Sequence, residues 1–115
     1  MTRDQERARF AYACVAKVPA ADQTEYKIAV NSLGSNVLRS GLSAAMAVLE
    51  RQSDRGAVQA LRNNLAEASI PGLGQCSGDN LPSKVRELDV DGYILASREI
   101  LRVVHWLKRA VQANG

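Results

Sequence analysis

The amino-acid sequence predicts an all-α fold, a single compact bundle of five or six helices that spans residues 1–115. Three observations lead to this prediction. Apolar residues recur every three or four positions in nearly every segment, and no segment alternates apolar with polar residues as a half-buried strand does. The apolar residues are mainly Ala, Leu, Val and Ile, whose small side chains let helix axes approach closely. A chain of 115 residues is also long enough to bury one core.

The first helix is predicted from about Arg3 to Lys17. Thr2 and Gln5 have the spacing of a capping box at its start. Pro19 ends the helix, because the residue before a proline is pushed out of the α region.

The second and third helices are predicted to meet at a break. The second opens at Asp22, and Ser40-Gly41 interrupts it because a glycine weakens a helix interior by about 1 kcal/mol. The third continues with the segment GLSAAMAVLERQ. The apolar stripes of these two helices are formed by Tyr26, Val30, Leu33, Val37, Leu42, Ala45, Met46 and Leu49.

The second half of the chain predicts two longer helices separated by an irregular stretch. Ser53-Asp54 is expected to cap a fourth helix over residues 55–68, and SIPGLGQCSGDNLP follows without regular structure. A short helix is predicted from Pro82 to about residue 88, because proline suits the first turn. Asp89 and Asp91 then precede the last helix, which covers roughly residues 93–113.

Composition and charge place the chain among soluble proteins. It is 46% hydrophobic and 23% charged, with a net charge of +3 that is concentrated in the first 18 and the last 25 residues. This concentration of positive charge in the two terminal segments permits a phosphate-bearing partner without requiring one. The N-terminus lacks the apolar stretch of a secretory signal, and no apolar run approaches the roughly 20 residues that span a bilayer. We therefore expect a cytoplasmic protein with no membrane partner, in which Cys14 is a small core residue.

The last helix carries a basic row, defined as Arg98, Arg102, His105 and Arg109. At about 100° per residue these side chains fall within a sector of roughly 60°, opposite the apolar residues of the same helix. Their spacing of about 5–6 Å resembles that of phosphates along an extended single strand. Like charges in one row repel each other, and a solvated helix face usually intersperses glutamates with its cations. The row alone is nevertheless compatible with an ordinary solvated surface.

Other residues that suggest catalysis, metal binding or base stacking have simpler explanations. Trp106 lies between the two faces of the last helix, where an anchor at the edge of the core is favoured over a platform for base stacking. The single histidine has no partner at metal-ligand or nucleophile spacing, and helix capping explains Asp89 and Asp91. The glycines of PGLGQCSG lack the preceding strand and the trailing Lys-Ser/Thr of a phosphate loop. We therefore predict no catalytic residue, no metal site and no cofactor.

Three segments together resemble a known family: EYKIAV, NVLRSGLSAAMAVLER and DVDGYILASREILRVVHWLKRAVQA. They are similar to the small helical subunit of the type III-B CRISPR effector, the Cmr complex. The last segment has the family's terminal pattern at Tyr93, Leu101, Trp106, Leu107, Lys108 and Arg109.

The resemblance implies a non-catalytic subunit that acts in antiviral defence. Copies of such a subunit stack into a minor filament, beside the backbone subunits that hold the guide RNA, and contact the large subunit at one end. The two filaments form a channel in which target RNA pairs with the guide, and RNA cleavage belongs to the backbone subunits. Expected partners are therefore the backbone and large subunits, further copies of the chain, and guide and target RNA.

From the row and the resemblance, we predict a nucleic-acid-binding surface without base readout, since the guide supplies sequence specificity by pairing. The predicted residues are Arg98, Arg102 and Arg109, assisted by Lys108, Arg7 and Lys17. An alternative is a free-standing small helical nucleic-acid-binding or regulatory protein. A helix-turn-helix reader is disfavoured, because the last helix opens with GYIL instead of polar residues that read bases. An enzyme is more remote, since no catalytic constellation is present.

Overall fold

The computed structural model describes residues 2–52 and 54–114, and over this part of the chain it contains six α-helices and one 3₁₀ turn, without strands. The predicted all-α fold is thereby confirmed. In chain order the helices are α1 (Arg3–Ala16), α2 (Gln23–Ser40), α3 (Leu42–Arg51), α4 (Gly56–Glu67), α5 (Leu81–Arg86) and α6 (Val90–Asn114), with the 3₁₀ turn at Ala20–Asp22 between α1 and α2.

Side-chain caps define the starts of α1 and α6. The predicted capping box of Thr2 and Gln5 is present at α1. At α6, the Asp89 carboxylate accepts a 2.7 Å hydrogen bond from the backbone N–H of Gly92, which confirms its capping role. The helix consequently begins at Val90, three residues earlier than predicted, and Asp91 lies inside its first turn.

The predicted break between α2 and α3 is confirmed at Gly41. This glycine has φ +90°, a conformation that L side chains rarely adopt. The Tyr93 hydroxyl of α6 accepts a 2.9 Å hydrogen bond from the backbone N–H of Ser43, and so it satisfies a donor in the first turn of α3. This bond lowers the pKa of Tyr93, because it stabilises the phenolate.

The start of α4 differs from the prediction. Arg55 occupies the position before the helix and makes no side-chain capping bond. Of the predicted cap Ser53-Asp54, Asp54 lies in a turn before the helix and Ser53 lies outside the described residues. Between α4 and α5 the chain is irregular as expected, and Leu73 and Ile70 of this stretch are buried against the core.

Helix α6 lies between α1 and α2. Arg7 of α1 pairs with Glu99, and further along Val15 lies beside Ala110, so α1 and α6 run parallel. Helix α2 runs antiparallel to α6 and in turn packs on α3 and α4. The core includes fully buried side chains from every helix, among them Val15, Tyr26, Leu33, Met46, Leu61, Leu65, Val85, Ile100 and Leu107.

The predicted core position of Cys14 is confirmed. The residue is 6% exposed among the apolar side chains of the core. Burial raises the pKa of its thiol to about 11, because the charged form loses its solvation. Cys14 is therefore a packing residue and is protonated at neutral pH.

Candidate nucleic-acid interface

Helix α6 presents the basic row to solvent. Arg98, Arg102, His105 and Arg109 are all exposed. The opposite face of the same helix is buried in the core, at Ala96, Ile100, Val103, Val104, Leu107, Ala110 and Val111. The burial of this face fixes the rotation of α6 about its axis, so core packing is what places the basic row on the surface.

The cations of this surface are not neutralised within the described part of the chain. Arg98, Arg102, Lys108 and Arg109 form no ion pair with any carboxylate there. From Arg98 to Arg109 the row extends over 11 residues, or about 16 Å at 1.5 Å per residue. The result is an exposed linear array of positive charge along one helix.

Two of the assisting residues lie at its borders. Lys108 is exposed and lines a groove of about 200 Å³ between α6 and α2, together with His105, Asn31 and Ser35. Lys17 is exposed just beyond the end of α1, at the same end of the parallel helix pair as Arg109. Lys108 thus adjoins the row, and Lys17 is a separate exposed cation on the neighbouring helix pair.

Arg7 is placed otherwise than predicted. Its side chain is 9% exposed, and its guanidinium donates two hydrogen bonds to the Glu99 carboxylate, from Nε at 3.0 Å and from Nη2 at 2.8 Å. Nη1 donates a third bond to Asp4 at 2.9 Å. These bonds form a network in which the guanidinium of Arg7 is shared between Glu99 and Asp4. Arg7 therefore connects α1 to α6 and is not part of the exposed basic surface.

Glu99 is the centre of this network. It is 8% exposed and also accepts a 3.1 Å hydrogen bond from Arg3. The hydrogen bonds from Arg7 lower the pKa of the Glu99 carboxyl, so the group is ionised at neutral pH. Glu99 is the one glutamate of α6. Because its charge is paired with arginines of α1, it does not offset the basic row.

The network is a feature that the sequence did not reveal. The paired residues Arg7 and Glu99 are 92 positions apart. A glutamate within the apolar half of an amphipathic helix is a signal that a buried partner exists, because an unpaired buried carboxylate is costly. The identity of that partner follows only from how the helices pack.

Trp106 lies at the edge of the core, as predicted, and it is also close to the row. The residue is partly buried and packs against the core. With Asp4, Leu101, Arg102 and His105 it lines an open surface pocket of about 360 Å³. The His105 and Trp106 rings are arranged edge to face, with centroids 5.6 Å apart and an interplanar angle of 77°.

Several large apolar side chains are exposed around the first half of α6. Leu38 at the end of α2 is 76% exposed and lines the α2–α6 groove with Leu101. Val90, Ile94 and Leu95 are 75%, 47% and 53% exposed. We call Leu38, Val90, Ile94 and Leu95 the exposed apolar set.

The described residues also bear on two other possibilities, a metal site and a membrane-spanning helix. Within residues 2–52 and 54–114, no three His, Cys, Asp or Glu side chains form a group that could hold a metal ion. Over the same residues, none of the helices is both long enough and apolar enough to cross a membrane.

Comparison with known proteins gives concordant matches. A family model described as CRISPR-associated protein (Cas_Cmr5) matches residues 3–114. The chain is 32% identical to the CRISPR system Cmr subunit Cmr5 of Thermus thermophilus, over 97% of this chain and 95% of that protein. It also resembles the crystal structure of a CRISPR-associated Cmr5 family protein from the same organism. That match has a TM-score of 0.81 and 34% sequence identity, and it covers 98% of this chain and 97% of the other.

Proposed function

Because the chain belongs to the Cmr5 family of CRISPR-associated proteins, we propose that it is a non-catalytic small subunit of a type III-B effector complex that acts in antiviral defence. In this proposal, copies of the chain stack into the minor filament and their basic surfaces line the channel for guide and target RNA. Its partners are the backbone and large subunits of the complex, and it works in the cytoplasm. The family resemblance noted from the sequence is confirmed by these matches.

The observation that carries the RNA-lining role is the exposed and uncompensated basic row. Phosphate contacts depend on cations that are free to approach the backbone, and arginine offers a planar fork that suits phosphate oxygens. Arg98, Arg102 and Arg109 meet both conditions, with Lys108 and Lys17 beside them. Arg7 is omitted from the proposed contacts, because its guanidinium is committed to Glu99 and Asp4.

The exposed apolar set is compatible with the role in assembly. Leu38 and Val90 expose about three quarters of their surface, so this apolar area is available for a contact with another subunit. Contacts with neighbouring subunits would remove this apolar surface from water at roughly 25 cal/mol per Å². Val90, Ile94 and Leu95 of this set lie near the start of α6 and the basic row continues along the same helix, so one helix offers surfaces for protein and for RNA.

The experiment is a double charge reversal in the reconstituted complex. Arg98→Glu with Arg102→Glu should weaken retention of target RNA, and the loss should be clearest as salt is raised, because phosphate contacts release counterions. Arg51→Glu with Arg55→Glu is the matched control: it reverses two exposed arginines away from α6 and changes the net charge equally. The control should retain RNA as the wild type does.

Two results would refute parts of the proposal. Unchanged assembly and unchanged RNA retention in the α6 variant would remove the row from the RNA channel. Failure of the chain to co-purify with other Cmr subunits and guide RNA from its host would favour the alternative of a free-standing helical protein.

A further inference from the structure

A surface pocket beside the basic row is lined by aromatic and apolar side chains as well as by charged ones. We call it the Trp106 pocket, and it is lined by Asp4, Leu101, Arg102, His105 and Trp106. Its volume of about 360 Å³ is within the range of sites that hold small organic groups. The indole and imidazole rings stand at 77° to each other with their centroids 5.6 Å apart, so they are not stacked in parallel.

Trp106 is only partly buried. The residue packs against the core and also lines the open pocket. Leu101 supplies a further apolar wall, and Arg102 supplies a guanidinium at the rim. A planar, polarisable group that enters the pocket would meet an aromatic and an apolar side chain together.

The charge around the pocket favours a group attached to phosphates. Arg102 and His105 belong to both the pocket and the basic row, and Arg109 follows one turn after His105. The one acid at the pocket rim, Asp4, has its charge paired with Arg7. The pocket therefore opens beside a positive surface on which the backbone of a single strand can lie.

We propose that the Trp106 pocket holds an unpaired nucleobase of an RNA strand whose phosphates lie along the basic row. The inference rests on the proposed function and deepens it, because it adds a base contact to a surface that otherwise binds only backbone. Base–aromatic stacking tolerates any sequence, since every base has a π face. The pocket therefore adds affinity for single-stranded RNA without adding sequence specificity.

Trp106 is the single tryptophan of the chain and reports directly on its own pocket. The full-length chain is titrated at low salt with single-stranded RNA, and in parallel with an abasic oligonucleotide of equal length that has phosphates but no bases. We expect the RNA to quench the tryptophan fluorescence and the abasic strand to leave it unchanged. We also expect tighter binding of the RNA, measured by anisotropy of end-labelled strands.

Variants separate the pocket from the row. Trp106→Leu should weaken binding of the RNA by about 5- to 150-fold, the range that corresponds to one stacked base, and should leave the abasic strand unaffected. Trp106→Phe should retain most of the affinity, because it keeps an aromatic face. Arg98→Glu with Arg102→Glu should weaken both strands. Thermal unfolding of each variant identifies any loss that results from misfolding.

The outcomes distinguish this inference from the proposed function. Equal binding of both strands with unchanged fluorescence would overturn the base contact and leave the row as a phosphate surface. Absence of binding to either strand at low salt would count against both. Fluorescence that responds to added effector subunits but not to RNA would overturn the inference and assign the pocket to a protein contact.

Discussion

Replacing Glu99 with glutamine tests whether the contact between α1 and α6 depends on a buried ion pair. The substitution keeps the size and shape of the side chain but removes the negative charge that two guanidinium donors of Arg7 share. Breaking a buried pair by removing one partner costs about 3–5 kcal/mol, because the other charge stays buried without compensation. We expect the lower end, about 3 kcal/mol, because Asp4 continues to accept one bond from Arg7.

The assay is equilibrium unfolding in urea, followed by circular dichroism. With a slope of about 1.5 kcal/mol per molar urea, a loss of about 3 kcal/mol moves the midpoint down by about 2 M. Asp4→Asn is the matched control. It removes the other carboxylate on the same guanidinium, but that side chain is 73% exposed, so its expected cost is only about 0.2–1 kcal/mol.

A double replacement completes the test. Arg7→Met with Glu99→Leu removes both charges together and should recover most of the lost stability, since an apolar pair of similar volume often matches a buried ion pair. The reasoning is refuted if Glu99→Gln costs no more than Asp4→Asn, or if the double variant is less stable than Glu99→Gln alone. The first result would show that the charge of Arg7 is compensated well enough without Glu99, and the second that an apolar pair does not substitute for the ion pair at this position.

Three further predictions concern Gly41, Tyr26 and the pH dependence of the Glu99 contribution. Gly41→Ala should lower the unfolding free energy by about 1–2 kcal/mol, because φ is +90° and the new methyl would lie 3.3 Å from the Tyr93 hydroxyl. Tyr26→Phe should cost about 1 kcal/mol in the same urea assay, because the fully buried hydroxyl accepts a 2.7 Å hydrogen bond from Asn64. The folded-state pKa of Glu99 is lowered, so its contribution to stability is present above the unfolded value of about 4.3 and is lost as pH falls through the folded value. The difference in unfolding free energy between wild type and Glu99→Gln should therefore be constant above about pH 5 and shrink in acid.

Each of these three predictions has a control that would contradict its physical explanation. Gly56→Ala, at the start of α4 with only Asp22 near the added methyl at 3.8 Å, should be neutral or slightly stabilising. An equal loss from Gly56→Ala and Gly41→Ala would contradict the conformational argument. Tyr12→Phe, on a side chain that is 47% exposed, should change stability little. A pH-independent gap between wild type and Glu99→Gln would show that Glu99 gains no stabilisation from its charge.

Much of the fold could be predicted from local sequence. The capping box at Thr2, the break at Gly41 and the cap at Asp89 depend on residues a few positions apart, and all three are present. The start of α4 was harder to predict, because Arg55 occupies the cap position without a side-chain bond. A polar residue near a helix start permits a cap, whereas the local backbone decides whether the bond forms.

The candidate site could be predicted in part. The basic row follows from a 3.6-residue period and from the apolar face opposite it, so its exposure is a consequence of the helix itself. Arg7 could not be placed in this way. Helix α1 has few large apolar residues to define its rotation, and the residue that draws Arg7 inward is on another helix.

The sequence by itself thus determined the helical architecture and the cationic face of α6, because periodicity and caps are properties of neighbouring residues. Only the tertiary structure decided that Arg7 compensates Glu99 in the interior and that Trp106 lines a pocket with Asp4 of α1. Both depend on how α1 packs beside α6. The energy of a buried charge or a partly exposed aromatic ring is set by groups that the chain brings together only when it folds.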